Sequence, residues 1–141
     1  MPDTEDIKTF TLSARRVDEH GSLAHTKEAD IVLDTSVDGR VDAANPVELL
    51  LASLSACMLK GIERHSPAMP FAYSSAAISL TARRPALEAR VTEIDYVLTV
   101  DTTESDSKLE LLHKNLLKFG TIYNTLAPGT TITGRIQRGA N

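Results

Sequence analysis

At 141 residues the chain is long enough to bury one sizeable core, and it reads as a single domain, residues 1–141. A formal net charge of −4 argues against nucleic acid as a partner. The single cysteine excludes an internal disulfide framework and suits a reducing compartment. No secretory signal and no apolar run of membrane length is present, so no membrane association and a cytoplasmic location are expected.

Residues 1–6 read as a polar tail. Residues 7–17 are rich in Thr, Phe and Val and predict a strand, closed by a turn at Asp18-Glu19-His20-Gly21. Residues 22–34 predict a second strand, strongest at Ile31-Val32-Leu33, paired with the first as a hairpin. A turn at Asp38-Gly39 then leads into a long helix, residues 45–65. Asn45 suits the N-cap, Pro46 the first helical position, and Glu48 the first turn, where negative charge meets the helix dipole.

From Leu49 to Leu59 this helix is apolar or small on every side, with ordinary charge returning only at Lys60, Glu63 and Arg64. A helix apolar all round is buried on all sides or crosses a membrane, and about a dozen apolar residues is too few to cross. A central helix wrapped by the fold is therefore expected. One chain of this length offers little to cover it, so a second copy is the expected cover.

Two prolines within residues 66–70 end the helix. Residues 71–82 and 91–101 alternate as strands, at Ala76, Ile78 and Leu80 and at Ile94, Tyr96, Leu98 and Val100, and should pair antiparallel. Ser107 with Glu110 reads as a capping box opening an amphipathic helix to Phe119, carried by Leu109, Leu112 and Leu116. Gly120 stands where a C-cap glycine belongs. Residues 121–126 suggest one short helix, and residues 130–136 a last strand. The order β-β-α-β-β-α-α-β defines an α+β domain.

The candidate chemistry centres on Cys57, the lone cysteine, in the middle of the central helix. A buried cysteine is usually a small hydrophobe. A reactive one needs a nearby cation or a helix N-terminus, and Cys57 lies about three turns into its own helix. Lys60 is one turn away, although its flexible stem favours carrying the charge out to water. Arg15 and Arg16 could reach the thiol only through tertiary folding. Glu48 lies ~13 Å along the axis and ~180° around it from Cys57, so it cannot act on that thiol within one helix. The four histidines show no ligand spacing, and no CxxC, phosphate loop or serine elbow occurs, so neither metal nor cofactor is expected.

Asn45-Pro46-Val47-Glu48-Leu49-Leu50-Leu51-Ala52, running into Ser55-Ala56-Cys57, closely resembles the central-helix motif of the OsmC/Ohr family, the osmotically induced and organic hydroperoxide resistance proteins. The likeness extends to residues 24–34 before the motif and to Thr121-Ile122-Tyr123-Asn124-Thr125-Leu126 near the end. It implies an intertwined α+β homodimer with buried central helices and two sites at its interface. It implies reduction of organic hydroperoxides by a peroxidatic cysteine, matched by Cys57, and a resolving cysteine, whose position is occupied here by Gly120. The family arginine falls at Arg15 or Arg16. The family glutamate falls at Val47, with Glu48 one residue late, as in the broader OsmC-like subgroup.

The resemblance therefore leaves three functions open. One is a one-cysteine hydroperoxide reductase that draws on an external thiol. Another is a catalytically degenerate dimer that binds a small lipophilic ligand in its interface pocket. The third is a stress-linked structural or interaction protein.

Overall fold

A computed structural model describes residues 6–65 and 70–139. The segments at 1–5 and 66–69, read from the sequence as the polar tail and the proline-bearing helix stop, lie outside the described residues. Among the described residues the architecture is α+β, with three helices and two three-stranded sheets. The chain divides into two compact units, one ending at Glu48 and the other starting at Leu49.

The first unit is an antiparallel meander of β1 (Ser13–Asp18), β2 (Gly21–Thr26) and β3 (Ala29–Asp34). The first turn is set by Asp18, whose carboxylate accepts the His20 and Gly21 backbone N–H groups at 2.8 and 3.1 Å. The single strand expected over 22–34 is in fact two. The chain reverses at Lys27, which holds φ 54°, between the paired residues Thr26 and Ala29. No Gly, Pro or Asn marks that turn, so the sequence carries no ordinary signal for it. After β3 the buried Asp34 gathers the loop, accepting from Ser36 N, Ser36 Oγ and Arg40 N.

α1 (Pro46–His65) begins on a reciprocal cap. Asn45 Oδ1 accepts the Glu48 N–H and Glu48 Oε1 accepts the Asn45 N–H, both at 2.9 Å. The helix does not bury itself all round. Leu54, Met58 and Ile62 form one buried stripe, Ala52, Ala56 and Lys60 are exposed, and Leu50, Leu51 and Cys57 are half-buried. The expectation of a helix wrapped on all sides is thus not met within one chain, because the elements beside it cover a single stripe.

In the second unit β4 (Ser75–Arg83) pairs antiparallel with β5 (Glu93–Asp101), as the alternation predicts. β6 (Thr131–Arg138) adds to β5 in parallel, giving the order β4-β5-β6. The central strand buries Ile94, Tyr96, Leu98 and Val100 on one face. α2 (Asp106–Phe119) lays Leu109, Leu112 and Leu116 into the same core as the α1 stripe. Its N-cap is Ser105, which accepts the Lys108 N–H at 3.2 Å, rather than the expected Ser107. Both serines precede a polar residue, and the apolar stripe starting at Leu109 is served by either. Gly120 ends α2 and opens α3 (Thr121–Leu126) with φ −76°. It is therefore not in the left-handed conformation of a C-cap glycine.

Candidate active site

The position of Cys57 is set by two glycines. At Gly61 an added Cβ would stand 2.6 Å from Leu116 Cδ2, so the bare backbone lets α2 lie close on α1. One turn back on α1 is Cys57, and one turn forward from Leu116 is Gly120. An ideal Cβ on Gly120 lies 3.5 Å from Cys57 Sγ. The same Cβ would stand 3.5 Å from Tyr123 Cβ and 2.5 Å from the Leu116 carbonyl oxygen. Glycine at 120 is thus explained by the backbone it touches, not by its φ. Cys57 itself is half-buried. In the sequence Gly61 carries no chemical motif. Its only signal was a glycine inside a helix, which costs about 1 kcal/mol relative to Ala and so marks a packing need.

Arg15 and Arg16 are adjacent on β1 and so point to opposite faces of their sheet. Arg16 donates from Nη1 to the Asp18 carbonyl at 2.9 Å and from Nη2 to the Thr35 carbonyl at 3.1 Å, which ties it to its own unit. Arg15 makes no hydrogen bond or ion pair among the described residues. It lines a shallow hollow of about 200 Å³ with Ser13, Ala14, Leu23 and His25. Its face of the sheet also carries Val32, opposite Leu23 in register and 51% exposed. Within the same hollow, His25 Nδ1 pairs with Asp30 across the sheet at 2.7 Å.

Glu48 is engaged in the α1 cap. Lys60 is exposed. Among the described residues no three of His, Cys, Asp or Glu gather to hold a metal ion. No helix of the described residues is long and apolar enough to cross a membrane.

A half-buried thiol on the middle of a central helix, faced by the bare backbone between two further helices of an α+β unit, defines a class of small thiol-bearing α+β proteins. The particular family follows from the sequence itself: the model for OsmC-like proteins matches residues 38–134, and the chain belongs to that family. No curated protein matches the chain. The fold is similar to that of an OsmC-like protein from Mycoplasma pneumoniae, at 18% identity and TM-score 0.86, covering 94% of this chain and 99% of that one. It is similar to an organic hydroperoxide resistance protein from Elizabethkingia anophelis, at 11% identity and TM-score 0.74 over 94% and 99%. It is also similar to the organic hydroperoxide resistance protein OsmC from Legionella pneumophila, at 13% identity and TM-score 0.71 over 94% and 99%.

Proposed function

We propose that the protein reduces organic hydroperoxides at Cys57 in a homodimer, with an external thiol as reductant. The observation that carries the reading is the 3.5 Å between Cys57 Sγ and the Cβ position of Gly120. The place where the family resemblance puts a resolving cysteine lies beside the sulfur, and it holds no thiol. In the reaction the Cys57 thiolate attacks the terminal peroxide oxygen. The O–O bond breaks, the alkoxide leaves and takes up a proton, and the sulfur becomes a sulfenic acid. One external thiol then displaces water to form a mixed disulfide. A second releases Cys57 as thiol, and the two external thiols leave as their disulfide.

Arg15 is the cation we assign to this site, since Arg16 is held by backbone carbonyls. Support for the dimer comes from the apolar side chains that the first unit leaves in solvent: Ile7, Phe10 and Leu12 before β1, Val17 at the β1 bulge, and Val32 on the Arg15 face. The second reading, a degenerate dimer that binds a lipophilic ligand, is favoured by Glu48, whose carboxylate is engaged in a helix cap. The two are separated by mass spectrometry after one equivalent of cumene hydroperoxide. Gain of one oxygen on Cys57, reversed by a small thiol, is expected. An unmodified thiol in the folded protein would leave the ligand-binding reading in its place.

A further inference from the structure

One buried polar pair takes no part in this chemistry. Tyr96 faces the core from β5 with 4% of its surface exposed. Its parallel-register partner on β6 is Gly134, where any Cβ would overlap the phenol ring, so the ring lies flat against bare backbone. The Tyr96 hydroxyl meets His113 Nε2 of α2 at 2.5 Å, with the rings edge-on at 81° and their centroids 5.8 Å apart. No other partner of that hydroxyl exists among the described residues. Left unpaired, its hydrogen would be a buried donor without an acceptor, so the phenol donates and Nε2 accepts.

His113 lies on the stripe of α2 that continues through Leu116 to Gly120, in steps of three and four residues. The point beside the Cys57 sulfur where a Gly120 Cβ would stand is also 3.5 Å from Tyr123 Cβ. Tyr123 packs against the same core that holds Tyr96 and Leu116. One helix thus runs from the Tyr96–His113 bond to the residue beside the thiol.

We infer that Tyr96 and His113 are positioning residues of the Cys57 site: their bond pins α2 to β5 and sets how closely Gly120 stands over the sulfur. The inference rests on the reading of Cys57 as the reactive centre. The bond requires neutral imidazole. A protonated ring turns Nε2 into a donor, orphans the phenol hydrogen and leaves a charge in the core. Tyr123 of α3 packs on the same core, β6 offers the Gly134 backbone, and Glu110 and Lys114 beside His113 on α2 are exposed. Burial is what lowers the His113 pKa. Acidification therefore loosens the latch below the ordinary histidine range.

The test is amide NMR of the reduced protein from pH ~7.5 to ~5. The Gly120 amide is expected to shift with the midpoint of the His113 ring, and to be flat over this range in Tyr96→Phe and His113→Gln. Sulfenic acid formation with cumene hydroperoxide at neutral pH should fall about tenfold in Tyr96→Phe, and stay within about twofold of wild type in His113→Gln, which keeps an acceptor for the phenol. A Gly120 amide that ignores the His113 titration in wild type, or follows the same titration in His113→Gln, overturns the inference. If Cys57 forms no sulfenic acid in any variant, the redox reading fails, and the NMR coupling still decides for or against the latch.

Discussion

Gly120 carries two requirements in one residue. Its backbone packs against the Leu116 carbonyl, and its Cβ position points to Cys57 Sγ. A disulfide needs about 3 Å between one Cβ and the opposite sulfur, as its S–S length dictates. Gly120→Cys should therefore close a bridge to Cys57 after one equivalent of organic hydroperoxide, read as loss of two hydrogens within one chain. The Cβ must first clear the Leu116 oxygen at 2.5 Å, so the end of α2 has to shift. Gly120→Ala is the control for that shift, and we expect both variants to lose about 1–3 kcal/mol in urea unfolding. A folded Gly120→Cys that gains oxygen on Cys57 without bridging would contradict the geometry. The sequence made this much of the candidate site legible: Cys57, its helix, and the residue that the fold brings beside it. It did not separate Arg15 from Arg16, because the bonds that hold Arg16 depend on the fold, and Thr35 lies far along the chain from Arg16.

The elements differ in how far local sequence determined them. α1 was readable because its cap is local, with Asn45 and Glu48 three residues apart. β5 was readable because its alternation matches its burial. The break between β2 and β3 was not, because a lysine adopts the left-handed turn that glycine usually marks. The parallel addition of β6 was also hidden, since its partner is fixed by the tertiary contact of Tyr96 with Gly134. Gly134→Ala should overpack that contact and destabilise by about 1–3 kcal/mol, measured by urea midpoint, with no effect expected at a freely exposed glycine such as Gly129.

Two elements also make stability depend on pH. His113 is lowered by burial, so between its folded value and the ordinary 6.5 the unfolded chain holds more protons. Its contribution is full above 6.5 and is lost as pH falls through the folded value. Asp34 is held below the ordinary carboxylate range, first by the Ser36 hydroxyl and then by the Arg40 N–H. Its contribution is present above the unfolded carboxylate pKa and is lost as pH falls through the folded value. Unfolding from pH ~7 to ~3 should show two acid losses, the upper removed by His113→Gln and the lower, which Asp18, Asp42 and Glu104 share, reduced by Asp34→Asn. A curve unchanged in both variants would assign acid lability elsewhere.

At the scale of the molecule, the first unit explains itself poorly as a free surface. Ile7 and Phe10 are more than four-fifths exposed, and Val32 shares a sheet face with Arg15, which has no partner among the described residues. α1 likewise leaves Ala52 and Ala56 in solvent and the leucines beside them half-buried. Surfaces of this kind on a chain this small suit a large apolar interface, of the kind a second copy related by a twofold axis would supply. We predict a homodimer that persists at micromolar concentration in sedimentation, in which Arg15 of one subunit serves the Cys57 of the other. Arg15→Ala and Cys57→Ser homodimers should each be inactive toward organic hydroperoxide. Refolded together in equal amounts, they form mixed dimers in which one of the two sites has both its thiol and its arginine. Random mixing then restores roughly a quarter of wild-type turnover. Arg16→Ala mixed in the same way should show no such rescue, because its loss weakens the fold of its own unit rather than the site. Stable mixed dimers without activity would place the arginine and the thiol of each site on the same chain.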